Sequence, residues 1–403
     1  MFKIAFRNIF RQKRRTILTM LTMFGGFVLS AFSIGYADGT YSYIIDLFTR
    51  NQMGHVQIHQ GNYLDRPSLY KTIEDYVNVG DTVQAVDRVQ EWAPRLYSSG
   101  LASVGDKTAG VRAIGVDPQL EHAATDFRDK VKQGRYLSDE PSHEVMLGTG
   151  LADILNAEVG DTTVIVSQGA DGSIANDLYH VVGIVDRGDQ MENRTGYFLH
   201  LKDAQELFVL PNQVHEIIVV ANSIHGVREI ARTIDGALNN ENLQVKPWME
   251  IARTFYKTMM ADQQGMWIML FVIILIVAIG VLNTVLMSVL ERTREYGVLK
   301  AMGTRPNEVF RMVLYEVSIM AVFSVILGAL LAIGLNSYFS IHGIPLPTPL
   351  DWGGIQINWM YTENSLRSIT LPTITVIITA LIVSVFPAIK AARIAPAQAM
   401  RMH

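Results

Sequence analysis

Four stretches of this chain, 17–37, 266–290, 317–338 and 368–388, are uncharged and almost wholly apolar. A hydrocarbon core roughly 30 Å thick takes about 20 residues of helix at 1.5 Å each, so every one of them is long enough to cross a bilayer. Helices buried in a soluble protein have shorter runs broken by a polar stripe. Here the hydrophobic share, 49% of 403 residues, is gathered into the four blocks rather than spread over strand or helix periodicities. The first run follows basic residues, as a secretory signal does. It is long, however, and has no small-x-small cleavage site before the next polar segment, so it reads as a retained helix. Cysteine is absent, so any domain outside the membrane is held by its own core, without disulfides or thiolate metal sites.

Charge orients the helices. Lys3, Arg7, Arg11, Lys13, Arg14 and Arg15 precede the first run with no acidic residue among them, which places the N-terminus in the cytoplasm. The segment between the second and third runs carries Arg292, Arg294, Lys300, Arg305 and Arg311, and the tail carries Lys390, Arg393 and Arg401. Between the third and fourth runs Arg367 stands against Asp351 and Glu363. The pattern is N-in and C-in, with 38–265 outside. That long segment is strongly acidic, which argues against nucleic acid or anionic headgroups as its main ligand.

Within it, Gly54-His55-Val56-Gln57-Ile58-His59 and Gly110-Val111-Arg112-Ala113-Ile114-Gly115-Val116 read as strands, the second ending at an Asp117-Pro118 turn signal. Helical stretches are expected at 150–157, 202–210 and 227–238. The domain is therefore mixed α+β, and the expected fold class is an α-helical membrane protein of four spans with this large extracytoplasmic domain between the first two. Its ends look helical. Tyr41, Ile45 and Phe48 recur at i, i+4, i+7, and Ile251, Phe255 and Met259 at i, i+4, i+8, so a paired stalk is one reading and packing at the domain base the other.

Directly after the second run, residues 291–303 form a short amphipathic helix. Tyr296, Leu299 and Met302 share one face at i, i+3, i+6, and both signs of charge occupy the rest; Gly303 suits a helix stop and Pro306 a new first turn. A helix seated among lipid headgroups is the simpler reading. The segment "ERTREYGVLKAMGTRPNEV", however, resembles the signature loop of the FtsX-like, or MacB-type, permeases of ABC transporters. "RNIFRQKRRTILT" resembles that family's N-terminal surface helix, and Glu316 in "LYEVSIMAVFSVILG" stands where members carry a glutamate early in the third span. "PAIKAARIAPAQAMR" resembles the family's ending, and "VRAIGVDP", "EVMLGTGLADILNAEVGD" and "YHVVGIVDRG" resemble its external domain.

The resemblance implies a surface helix at 1–16, spans at 17–37, 266–290, 317–338 and 368–388, and an external MacB-like domain with stalks at 38–265. It also implies a coupling loop at 291–312, an outer loop at 339–367 and a tail at 389–403. The coupling loop docks into an ATPase in that family, so Glu291, Arg292, Arg294, Glu295, Tyr296, Gly297, Lys300 and Gly303 are the implied ATPase-coupling residues. The implied partners are two copies of a separate ABC ATPase, a second permease that is a copy or a related chain, the lipid membrane, and a periplasmic acceptor or adaptor. ATP and Mg sit on the ATPase, and no cofactor is expected on this chain. The implied location is the bacterial inner membrane. The chain begins with the surface helix and not with a fused ATPase, which favours the lipoprotein-releasing arrangement, with the cargo open among lipoproteins, peptides and lipophilic compounds.

The spans carry no charge, so a polar conduit is not expected. Asn283, Thr284 and Ser288 in the second and Gly328 and Gly334 in the third are assigned to helix packing or dimerisation. "GLASVGDKT" falls short of a phosphate-binding loop because Asp106 is inserted before Lys107. His55 and His59 share a strand face as surface histidines do, with no third metal ligand in view; Arg187-Gly188-Asp189 and Asn193-Arg194-Thr195 read as turn chemistry. A membrane hydrolase needs a nucleophile and base beside the spans, and none is visible. The alternative function is an FtsX-like regulator that activates an external partner without transport.

Overall fold

The computed structural model describes residues 2–11, 13–352 and 355–395. Met1 and Gln12 of the expected surface helix, Gly353 and Gly354 of the expected outer loop, and 396–403, with Arg401 and the end of the C-terminal motif, lie outside these residues. The chain divides into two units, one of Met1–Tyr41, Thr258–Pro345 and Trp359–His403, the other of Ser42–Lys257 and Leu346–Asn358.

The first unit takes its helices from α1 (Phe2–Arg11), α2 (Lys13–Phe48), α3 (Arg253–Glu291), α4 (Thr293–Ala301), α5 (Pro306–His342) and α6 (Leu366–Arg393). Of these, α2, α3, α5 and α6 are long and apolar enough to cross a membrane. The 36 residues of α2 measure about 54 Å, well beyond the hydrocarbon thickness. Tyr41, Ile45 and Phe48 belong to its last turns, and Phe255 and Met259 to the first turns of α3. Val277, Val281, Val285 and Val289 recur every fourth residue on α3 and are buried, while Ile268, Phe271, Ile276 and Ile279 are exposed. Such a bundle suits lipid, where an apolar outer face costs nothing and small residues let helices approach. A Cβ on Gly328 of α5 would come within 2.7 Å of the Phe27 ring of α2.

The segment before α6 is pressed onto α2 and α5. Glu363 N–H donates to the Gly35 carbonyl at 2.8 Å, Thr40 Oγ1 to the Tyr361 carbonyl at 3.2 Å, and Thr362 Oγ1 to the Asn336 carbonyl at 2.6 Å. A Cβ on Gly39 would sit 2.4 Å from the Thr362 carbonyl carbon. The stretch expected as an outer loop contains two strands, Ile344–Trp352 and Ile355–Met360, paired with each other.

The second unit is built on a ten-stranded mixed sheet. Its strands are β1 (Val56–Gln60), β2 (Val89–Val104), β3 (Lys107–Val116), β4 (Val131–Gly134), β5 (Glu144–Gly148), β6 (Thr162–Gln168), β7 (Ile174–Val185), β8 (Gly196–His200), β9 (Glu216–Ala221) and β10 (Leu243–Pro247). The order is β10-β1-β9-β2-β3-β8-β5-β7-β4, with β6 paired to β2 and β7; β3 with β8 and β5 with β7 are parallel. Every position of β8 and β9 is buried, as expected of strands covered on both faces. Phe48 stacks on Phe255 with ring centroids 4.7 Å apart, at the two ends of the domain's chain.

Three local expectations change. His55 and His59 are buried, not surface residues: the His59 ring stacks on Tyr63 with centroids 5.2 Å apart and donates to the His215 carbonyl at 3.1 Å, and His55 Nδ1 accepts from Ala221 N–H at 2.8 Å. Asp117-Pro118 opens the helix Pro118–Ala124 instead of a turn. The Asp117 carboxylate accepts from Gln119 and Leu120 N–H at 3.1 and 3.0 Å, and proline fits the first helical position. Arg187 is a buried charge. Its guanidinium lies over Phe127 at 4.3 Å and pairs with Glu192 at 3.3 Å and Glu121 at 3.8 Å. Glu121 in turn holds Arg95 at 2.7 and 3.0 Å. Burial opposes the charge on both partners, but each holds the other ionised: the Glu121 carboxyl lies below its ordinary range and the Arg95 guanidinium well above.

Candidate functional site

The helix α4 is set off from α3 by one residue, Arg292, whose backbone leaves the helical region at φ −96°, ψ 16°. At its other end Gly303 adopts φ +98°, a conformation that glycine enters without strain, and Pro306 begins α5. The positions between are held from behind. Arg292 is buried and donates from Nη1 to both oxygens of Glu316 on α5, at 2.9 and 3.0 Å, and from Nε to Glu295 at 2.9 Å. Burial works to lower the guanidinium, yet Tyr296, Glu316 and Glu295 around it hold it above its ordinary value. Glu316 also accepts from Asn8 Nδ2 on α1 at 2.7 Å. Arg11 of α1 pairs with Glu295 at 3.2 Å, and Arg15 pairs with Glu291.

Tyr296 and Gly297 are buried in the same seam, in a core shared with Ala5 of α1 and Val309, Met312 and Val313 of α5. Lys300 turns to α6, donating to the carbonyls of Ala392 and Ile394 at 2.8 Å each, a favourable use of a cation at a helix C-terminus. The outward side consists of Arg294, Val298 and Met302 at i, i+4, i+8, with Glu291, Ala301 and Gly303 also exposed. Met302, grouped by its spacing with Tyr296 and Leu299, is 72% exposed instead of buried. The helix stops at Ala301, so the periodicity no longer dictates where Met302 points.

The eight implied coupling residues thus separate into three sets. Arg292, Tyr296, Gly297 and Lys300 face the bundle, Glu295 lies at the seam, and Glu291, Arg294 and Gly303 are open to the outside. Among the five packing residues, Gly328 is spent against Phe27, and Thr284 and Ser288 line a small polar cavity with Thr19, Arg292 and Glu316. Asn283 and Gly334 face outward. Asn8 had no place in the sequence reading. Its signal was weak, one amide among basic residues, whereas Glu316 was singled out by the resemblance, as the glutamate early in the third span.

Two family models match the chain. Residues 16–236, more than half of the chain, match the MacB-like periplasmic core domain, and 267–396 match the FtsX-like permease C-terminal domain. The lipoprotein-releasing system transmembrane protein LolC of Neisseria meningitidis is 20% identical over 323 residues, 77% of each chain. An ABC transporter permease of Methanocaldococcus jannaschii is 22% identical over 343 residues, 82% of each. Among solved structures, the periplasmic region of MacB from Actinobacillus actinomycetemcomitans aligns with 51% of this chain and 94% of its own, at 18% identity and a TM-score of 0.38. The chain belongs to the FtsX-like permeases that carry a MacB-like periplasmic core domain, and is an ABC transporter permease of that type.

Proposed function

We propose that this permease works in the inner membrane with both termini cytoplasmic, coupling ATP hydrolysis on a separate ATPase to movement of its external domain, and that its cargo is a lipoprotein. The observation that carries the coupling is the outward stripe of Arg294, Val298 and Met302 on a helix tied from behind to α1, α5 and α6. A helix so anchored passes a push to the bundle instead of yielding to it. An exposed Val and Met beside an arginine suit burial against a protein partner. The basic residues of α1, α4 and the start of α5 support a cytoplasmic position for this stripe. Two permeases and two ATPases make the working unit, and the long α2 and α3 supply the stalks. The lipoprotein cargo draws on what the name of the LolC relative says of that protein.

The test is reconstitution of the permease with its ATPase in proteoliposomes loaded with a triacylated lipoprotein. ATP-dependent release is expected with the wild-type chain and is lost in Met302→Asp and Val298→Asp, which still insert in the membrane. Release that is indifferent to both substitutions overturns the docking role; hydrolysis coupled to the stripe without any lipoprotein release overturns the cargo.

A further inference from the structure

We infer that the ATPase contact extends beyond α4: the groove between α1 and α4 receives a carboxylate-bearing segment of the ATPase, held between Arg11 and Arg294. This rests on the docking role of the α4 stripe and adds a second wall and a stated chemistry. The groove is lined by Arg11 from α1 and by Arg292, Arg294, Glu295, Val298 and Leu299 from the other side.

Its charges do not balance. Glu316 neutralises Arg292 from below, and Glu295 is shared between Arg292 and Arg11, so three guanidinium groups face two carboxylates. Arg294 has no hydrogen-bond or ion-pair partner among the described residues, and the Arg11 side chain is 73% exposed. One positive charge is left over, at the lip where Val298 begins the apolar stripe. A carboxylate placed there meets two guanidinium forks, the geometry that arginine serves best, while the residues flanking that carboxylate rest on Val298 and Leu299.

The walls are also preformed. Asn8 ties α1 to Glu316, Ala5 is buried in the common core, and Arg11 bridges to Glu295, so the groove needs little ordering when a partner arrives. Continuity with the α4 stripe favours the ATPase as occupant over an anionic lipid headgroup, because one protein surface then covers Arg11, Arg294, Val298 and Met302 together.

A photo-crosslinking amino acid placed singly at Arg11, Arg294 or Met302 in the full chain, in its native membrane, separates the outcomes. All three positions are expected to give an adduct with one polypeptide carrying a phosphate-binding loop, and the Arg11 and Arg294 adducts should map to the same peptide containing an Asp or Glu. ATPase adducts from Met302 alone, or lipid adducts from Arg11 and Arg294, overturn the groove and leave the stripe standing. No ATPase adduct at any position overturns both. As a second measurement, Arg294→Glu should lower the ATPase recovered with the permease about tenfold, Arg294→Lys much less, and exchange of the crosslinked acid for arginine should restore binding to the Glu variant. Equal recovery with Arg294→Glu and wild type removes the charge from the proposal.

Discussion

Arg292 and Glu316, 24 residues apart, meet in a buried pair in which one guanidinium nitrogen serves both carboxylate oxygens, at 2.9 and 3.0 Å. Removing one member leaves the other charged and enclosed. Arg292→Ala or Glu316→Ala is therefore expected to destabilise the bundle by about 3–5 kcal/mol, whereas Arg292→Met with Glu316→Met together recovers most of the loss. Thermal unfolding of the detergent-solubilised chain checks this. A double variant no better than the singles would show that the pair is not the source of the cost.

The Glu121 carboxylate is fully buried between Arg95 and Arg187, while Glu192 touches only Arg187 of the two and is partly exposed. Glu121→Ala is expected to cost about 3–5 kcal/mol and Glu192→Ala clearly less. Urea unfolding followed by the signal of Trp92, which packs in the same unit, distinguishes them. Equal losses contradict the assignment of Glu121 as the centre of the cluster.

Gly39 lies where the 361–363 segment crosses α2 with no room for a side chain. Gly39→Leu should push that segment off the helix, costing about 1–3 kcal/mol and opening the Glu363 to Gly35 hydrogen bond. Limited proteolysis then cuts near Glu363 in the variant and spares the wild type. Identical cleavage patterns would deny the close approach.

His55 and His215 are buried in the external domain, and burial pushes both down to about 4 from an ordinary 6.5. A histidine that is harder to protonate when folded contributes its full stability above the unfolded value and loses it as pH falls towards the folded one. Stability should therefore drop between about pH 6.5 and pH 4, by at most about 1.4 kcal/mol per pH unit for each histidine. The Glu121 carboxylate contributes its own loss only in and below the ordinary carboxylate range. Urea midpoints at pH 7.5, 6 and 5 measure the slope, and a flat response above pH 5 would mean that these imidazoles are not kept neutral by the fold.

How much of this was legible before any coordinates varies with the kind of constraint. Each of the four apolar runs lies within a single helix, since an unpaired backbone in hydrocarbon has almost no alternative. The family of the external domain was readable from short segments, but the depth of its residues was not. His55 and His59 share a strand face as surface histidines do, and only contacts with Tyr63, His215 and Ala221, all outside their strand, enclose them. Arg187 sits in a turn-like sequence, yet Glu121, far away along the chain, decides that it points inward.

The coupling segment divides in the same way. Composition and spacing alone indicated a short charged helix within 291–303, next to a span and ending before Gly303, because helix period and glycine conformation are local properties; the helix itself is Thr293–Ala301. Which of its charges are free was decided by the tertiary structure. Arg292 needs Glu316 and Asn8, Lys300 needs the end of α6, and Glu295 needs Arg11. Each of those partners comes from another helix, and a buried charge goes wherever its counter-charge is, a relation that spacing along one segment does not encode.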